Sequence, residues 1–313
     1  MPVLTYHYLV KHPSAFYSLS GITVREFQHL YARFEPLWAA AEAKRLSRPG
    51  RRRAIGGGNQ YRLTLNNQLL MTVIWLHLYL NTETLGFLFG VNKSTISRNS
   101  RRVLAVLRQV GENTVAWPES PSKGQGKTLT EALVSCPDLL AVLDVMEQRI
   151  ERPQGGDEQK SHYSAKQKAH TRKTGLMVNE RGLIRGVTDS YPGRTHDLTL
   201  FRQSGLLPDI PPSVTVIGDK AFEGLANDLP NHSVGTPHKA HYKQPLSDAE
   251  RWVNRDFSCQ RMIVENTICE LRHFKALFHR FRHPLTLCDS VVRAVVALVN
   301  PRIARRIQVA GLA

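Results

Sequence analysis

Apolar positions change their spacing near residue 118, and the change divides the chain into two textures. Before it they recur at helical intervals. The segment Val24–Phe34 follows that spacing behind Thr23, which stands where an N-cap belongs, and predicts a helix. Thr64–Leu80, rich in Leu, Met, Ile and Trp, predicts a helix buried over much of its surface. After 118 short β-type runs take over: Leu139–Glu147, Gly175–Val178, Leu183–Ser190 and Val214–Asp219. Helices are predicted between and after them, over Asp197–Gln203, Gln260–Phe281 and Leu287–Val299. Strands followed by helices indicate an α/β domain, here preceded by an all-α one.

Two stretches punctuate this pattern. Around Arg48–Gly58, Arg51, Arg52 and Arg53 run into three glycines, which suits a basic DNA-contacting arm and a solvated linker equally. Trp117–Lys127 scatters Pro118, Pro121, Gly124 and Gly126 among Ser and Lys, the strongest linker signal in the chain. The expected organisation is a helical region over 1–117, a linker over 118–130 and an α/β domain over 131–313.

Within the helical region, residues 82–105 carry a helix-turn-helix pattern. A short helix ends at Gly90, which suits a left-handed C′ position, and Asn92 is placed to cap the next helix. That second helix keeps Ile96, Val103 and Leu104 for packing. It turns Lys93, Ser94, Thr95, Ser97, Arg98 and Arg101 outward, where such a helix reaches base edges and phosphates in the major groove.

Charge strengthens this reading. The 313 residues carry 42 Lys and Arg against 26 Asp and Glu, a formal +16. Ten of those net charges lie before residue 119, where fifteen basic residues face five acidic ones. Such an excess favours a polyanionic partner, nucleic acid first among them, while 42% hydrophobic residues supply real cores. The four cysteines, Cys136, Cys259, Cys269 and Cys288, form no CxxC pair and no metal-ligand spacing. Reduced thiols and a cytoplasmic protein are expected, with neither an export signal nor a membrane span.

The chemistry is expected at three carboxylates. Asp144 closes the apolar run Leu139–Leu143, Asp219 closes Val214–Gly218, and Glu265 lies within a long helical pattern. A carboxylate at the mouth of a strand is costly to desolvate without a compensating cation or donor. Converging carboxylates suit hard divalent cations. On an ideal helix Arg261, Glu265 and Arg272 share one face, which flanks the acid with phosphate-directed cations. Asp197 precedes Leu198–Phe201 and suits a helix N-cap better than a catalytic part. Glu147, three residues after Asp144, faces the other side of a regular strand. Basic residues interleaved with Tyr163 and His170 between Lys160 and Lys173, among them Lys166, Lys168, Arg172 and Lys173, suit a track for a DNA backbone.

From about Tyr61 to Ile307 the order of motifs resembles bacterial insertion-sequence DDE transposases that share a catalytic domain with the Harbinger group. The carriers are Phe89–Arg98 (Phe-Gly-Val-Asn-Lys-Ser-Thr-Ile-Ser-Arg), Asp144 within Leu-Asp-Val-Met-Glu, Tyr163–Lys166 with His170-Thr171, Pro192–Asp197, Gly218–Phe222 and Arg261–Glu265. The chain departs from the pattern at Ser258, where many relatives carry Tyr, and at Arg272, where they carry Lys.

The resemblance implies an RNase H-like catalytic domain with Asp144 on its first strand, Asp219 just after its fourth and Glu265 on a C-terminal helix. It implies two Mg²⁺ or Mn²⁺ ions held by these three residues. It also implies double-stranded DNA, both element ends and target, as substrate, and a homodimer or higher oligomer on DNA. The implied activity is binding of terminal inverted repeats, phosphodiester hydrolysis and strand transfer. The alternatives are a catalytically silent DNA-binding regulator and a nuclease of the same fold that does not join.

Overall fold

The structure, a computed structural model, describes residues 4–47, 61–117, 139–240 and 245–311. Arg51–Arg53, the expected linker at 118–130 and Cys136 lie outside the described residues. Two compact units emerge: Met1–Thr114 with Leu271–Arg302, and Val115–Glu270 with Ile303–Ala313. No helix among the described residues is long and apolar enough to cross a membrane.

The first unit opens with helices α1 (Tyr6–Leu9), α2 (Pro13–Ser20), α3 (Val24–Leu46), α4 (Leu65–Leu78), α5 (Thr82–Phe89) and α6 (Lys93–Glu112). Thr23 caps α3 as its position predicts. Its hydroxyl accepts from the Glu26 amide at 3.2 Å, while Glu26 Oε2 accepts from the Thr23 amide at 2.7 Å. Such a reciprocal cap stabilises a helix by about 1 kcal/mol. α4 is buried at every position from Gln68 to His77 and packs against α2, α5 and α6, as its all-round apolar pattern requires.

The second unit is built on strands β1 (Leu140–Arg149), β2 (Tyr163–Ser164), β3 (Ala169–Asn179), β4 (Ile184–Pro192), β5 (Thr215–Ile217) and β6 (Val234–Gly235). Its helices include α7 (Gly156–His162), α8 (Asp197–Ser204) and α9 (Asp248–Arg272). The sheet runs β2-β3-β1-β5-β6, with β4 also on β3; β1 pairs antiparallel with β3 and parallel with β5. This mixed sheet with helices is the RNase H-like, α/β arrangement expected. β1 continues to Arg149 instead of stopping at Glu147, because its register with β3 holds as far as Arg149 and Thr171. Asp144 therefore sits in mid-strand and does not close it. The two-residue β2 makes the strand before Asp219 the fifth in chain order.

The pleat of β1 sorts its side chains. Ala141 and Leu143 are buried with Met177, Leu198, Phe201 and Phe222, and Val145 packs on that cluster. A β-carbon on Gly175 would lie 2.7 Å from the Phe201 ring, so α8 rests directly on the backbone of β3. Successive strand residues alternate faces, which sends Val142 and Asp144 to the opposite side. There α9 crosses. Asn254 exchanges hydrogen bonds with the His238 backbone at 2.7 and 3.0 Å, and Phe257 leaves no room for a β-carbon on Gly235 of β6. At its far end Thr267 Oγ1 donates to the Gly182 carbonyl at 3.1 Å, in the β3–β4 turn where Gly182 adopts φ +80. Ten residues of helix, about 15 Å, match the three strand spacings between these pins. Residues 261 and 265 fall between them.

Residues 271–302 then return to the first unit, through α10 (Lys275–Phe278) and α11 (Cys288–Gly311) as far as Arg302. Arg282 donates to the Tyr79 hydroxyl and carbonyl at 2.8 and 2.6 Å, Asn300 to the Thr114 carbonyl at 2.8 Å, and Arg302 to the Gly21 carbonyl at 2.6 Å. The Arg293 carbonyl stands where a β-carbon on Gly111 would be, at 2.1 Å. By packing, residues 271–302 thus group with the helical unit. The reason is burial: Val291, Val295, Val296 and Val299 are fully enclosed and need a helical partner surface.

Candidate active site and nucleic-acid interface

The turn between α5 and α6 is made by close backbone approach. Gly90 adopts φ 66, and the Val91 amide donates to the Gly86 carbonyl at 2.9 Å. A β-carbon on Gly86 would lie 2.5 Å from the Val91 carbonyl oxygen, so only glycine permits this turn. Asn92 Oδ1 then caps α6, accepting from the Thr95 amide at 2.9 Å. Ile96, Val103 and Leu104 are buried, while Lys93, Ser94, Arg98 and Arg101 are exposed and Thr95 and Ser97 half-buried. The first turns of α6 therefore present the six residues expected to face DNA. Ser94 and Thr95 hydroxyls both bond Asn92 at 2.9 Å and so stiffen the cap.

In the second unit, parallel pairing matches Val142 with Ile217. Asp144 and Asp219 each lie two residues further on. Asp219 lies past the end of β5, and its charge acts on the Asp144 carboxyl. Asp219 begins a 3₁₀ turn and its Oδ1 accepts from the Ala221 amide at 2.8 Å. Gly218 lets the chain pass Phe222, whose ring would be 2.6 Å from a β-carbon there.

Glu265 arrives on α9. Arg261 Nη2 is 3.8 Å from Asp144 Oδ2 and 3.8 Å from Glu265 Oε1, and the Arg261 Nε is buried without a hydrogen-bond partner. Asp144 is only 19% exposed, whereas Glu265 is 59% exposed. Burial raises the Asp144 carboxyl above its ordinary value. The Val145 amide and Arg261 oppose the shift, and the charges of Asp219 and Glu265 add to it. The three acids thus share one electrostatic neighbourhood.

Among the described residues, no three His, Cys, Asp or Glu side chains converge closely enough to hold an ion as they stand. The positive charge between Asp144 and Glu265 is the Arg261 guanidinium. The donors themselves, carboxylate oxygens under mutual repulsion, fit the chemistry of a hard divalent cation.

Other expectations are redistributed. Asp197 is the first residue of α8 and His196 is the N-cap; Asp197 instead pairs with Lys173 Nζ at 2.8 Å. Lys173 also donates to the Thr195 carbonyl at 2.9 Å, and Arg172 donates to the Ser190 carbonyl. These two basic residues were expected on a DNA track, yet both turn into the domain, because β3 is flanked on both sides and its polar groups need internal partners. Lys166 and Lys168 remain exposed in the β2–β3 turn, Lys168 at φ 48. Glu147 accepts from Thr171 Oγ1 at 2.5 Å, apart from Asp144. Glu270 pairs with Arg306 at 2.7 Å. Arg272 ends α9 and belongs to the first unit, and Ser258 Oγ bonds its own helix at the Asn254 carbonyl. Cys259, Cys269 and Cys288 form no disulfide.

A helix-turn-helix unit combined with an RNase H-like unit carrying acids at the centre of its sheet defines a class of DNA-processing enzymes. The chain belongs to the family described as DDE superfamily endonuclease, whose model matches residues 143–300. Residues 61–113 match a second model, described as helix-turn-helix of DDE superfamily endonuclease. The chain is 26% identical over 271 residues to the "Probable transposase for insertion sequence element IS702" of Microchaete diplosiphon, covering 86% of this chain and 87% of that relative. No solved structure matches. These matches support the DDE superfamily and do not single out the Harbinger group.

Proposed function

We propose that this protein is a DNA transposase. It binds the terminal inverted repeats of its own element, hydrolyses phosphodiester bonds there, and joins the freed 3′-hydroxyls to target DNA. The observation that carries the reading is the grouping of three acids: Arg261 stands 3.8 Å from both Asp144 and Glu265, and the charges of Asp219 and Glu265 act on the Asp144 carboxyl. Asp144, Asp219 and Glu265 would hold Mg²⁺ or Mn²⁺, two ions in the full arrangement. When bound, such ions supply the charge that activates water and stabilises a leaving oxygen.

The protein's own residues contribute placement and charge. Asp144 is held in the β1–β3 ladder opposite Leu176, and Asp219 by its bond to Ala221. Arg261, already facing two acids, has the planar fork that meets phosphate oxygens bidentately. Lys93, Ser94, Thr95, Ser97, Arg98 and Arg101 bring the DNA end to the enzyme through the major groove. Double-stranded DNA is the partner at element ends and at the target. Coordinated cutting of two ends calls for a homodimer or higher oligomer.

The test uses linear DNA carrying the ends that flank the protein's own gene, incubated with Mg²⁺ or Mn²⁺. Wild type and Asp219→Asn are compared on a sequencing gel and in a binding assay. Wild type should cut at the repeat termini, and the variant should bind equally while cutting at least ~100-fold less, the loss of several kcal/mol of charge stabilisation. Binding without cuts in both would make the protein a regulator. Cuts without joined products would make it a nuclease.

A further inference from the structure

At the end of the sheet that β1 reaches beyond Asp144, the second unit opens a cavity of about 760 Å³. Its lining includes Lys160, Tyr163, Lys166, His170, Lys173 and Arg194. Four of these six carry positive charge and two are aromatic rings. Tyr163 and His170 pack edge to face with centroids 5.8 Å apart, and Tyr163 is still 46% exposed. Lys173 is committed to Asp197 and Lys160 lies 3.9 Å from Asp157, while Lys166 and Arg194 are exposed. Gly193 shapes the wall: a β-carbon there would strike Thr171 Oγ1 at 2.0 Å. The cavity is therefore a shaped part of the fold.

A cavity of this volume accommodates a small organic group and not a duplex. An aromatic platform beside free cations suits a ligand with a flat apolar ring and a phosphate. Lys173 lies opposite Glu147 in the β1–β3 register, three residues along the strand from Asp144, and its side chain turns to the other face of the sheet. We propose that this cavity receives one unpaired nucleotide of the bound DNA, its base against Tyr163 and His170 and its phosphate on Lys166 and Arg194. The proposal rests on the reading that DNA is the substrate, and it adds that the bound DNA is locally unpaired when held.

A base already mispaired is cheaper to withdraw from its stack. The experiment walks a single mismatch along a fluorescently labelled duplex of the element end, and along an unrelated duplex, measuring affinity by anisotropy. Wild type should bind about tenfold tighter when the mismatch occupies one particular position, and Tyr163→Ala should lose that gain. Tyr163 is half-exposed, so the variant should unfold at the wild-type temperature. Affinities that ignore the mismatch at every position, or a gain that persists in Tyr163→Ala, would overturn the cavity's role. Equal affinity for paired end and unrelated duplexes would instead sink the transposase reading, and the mismatch scan on both duplexes still decides the cavity.

Discussion

Arg261 Nη2 stands 3.8 Å from Asp144 Oδ2 and equally far from Glu265 Oε1, so one guanidinium serves two acids on different elements. At that distance neither contact is a close hydrogen bond, and the attraction is mainly Coulombic. Partial burial of Asp144 keeps it from being fully screened.

Arg261 should set the acid limb of the cleavage reaction. Its charge lowers an Asp144 carboxyl that burial and the neighbouring acids raise. In Arg261→Gln the carboxyl rises further, so the ionised form is lost at a higher pH. Cleavage rates measured against pH should show the acid limb moved upward in Arg261→Gln and retained in Arg261→Lys. A limb that stays in place in Arg261→Gln would contradict the coupling.

Glu265 and Glu270 lie on one helix but should differ in kind. Glu265 faces Arg261, whereas Glu270 is paired with Arg306 at 2.7 Å. Glu265→Gln should reduce cleavage at least ~100-fold with little change in the unfolding midpoint. Glu270→Gln should cut normally and lose at most about 1 kcal/mol of stability, the worth of an exposed ion pair. Parallel cleavage and urea titrations separate the two, and equal activity loss would reject the assignment of Glu265.

Gly86→Ala should damage the DNA-binding unit although the residue touches no nucleic acid. The added β-carbon meets the Val91 carbonyl, which is backbone and cannot swing away. A cost of about 1–3 kcal/mol is expected from such overpacking, together with weaker DNA binding as α6 is re-aimed. Chemical denaturation and an end-binding titration report both, and a variant as stable as wild type would mean that the turn yields.

Glu26 should make stability depend on pH below neutrality. Burial raises its carboxyl, but the Thr23 amide and Arg302 outweigh that and leave it lowered from 4.5. A lowered value in the folded state means a contribution fully present above the unfolded value and lost as pH falls through the folded one. Glu26→Gln should cost about 1 kcal/mol at pH 7 and progressively less toward pH 3. Urea midpoints of both proteins across that range check the sign; a constant difference would refute it.

Much of the helical unit could be read from the chain because its signals are local. The Thr23 cap, the left-handed Gly90, the Asn92 cap and the buried Ile96 face all lie within a few residues of what they control. The long helix predicted over Gln260–Phe281 instead runs Asp248–Arg272, with a separate turn at Lys275–Phe278. Its early start depends on Phe257 against Gly235 and Asn254 against His238, contacts across the sheet that no helical spacing records. Asp197 fits the local pattern of a cap, yet His196 takes that position and Lys173, 24 residues away, binds the Asp197 carboxylate.

What the sequence determined by itself was therefore short in range: which segments coil, which acids follow apolar runs, which face of α6 is polar, and a charge that seeks a polyanion. Only the tertiary structure decided that the Asp219 charge acts on Asp144, that Arg261 lies between two acids, and that Arg172 and Lys173 turn inward while Lys166 stays out. It also assigned residues 271–302 to the helical unit. Strand register, pleat direction and ion pairing depend on partners far along the chain, and only packing brings those partners together.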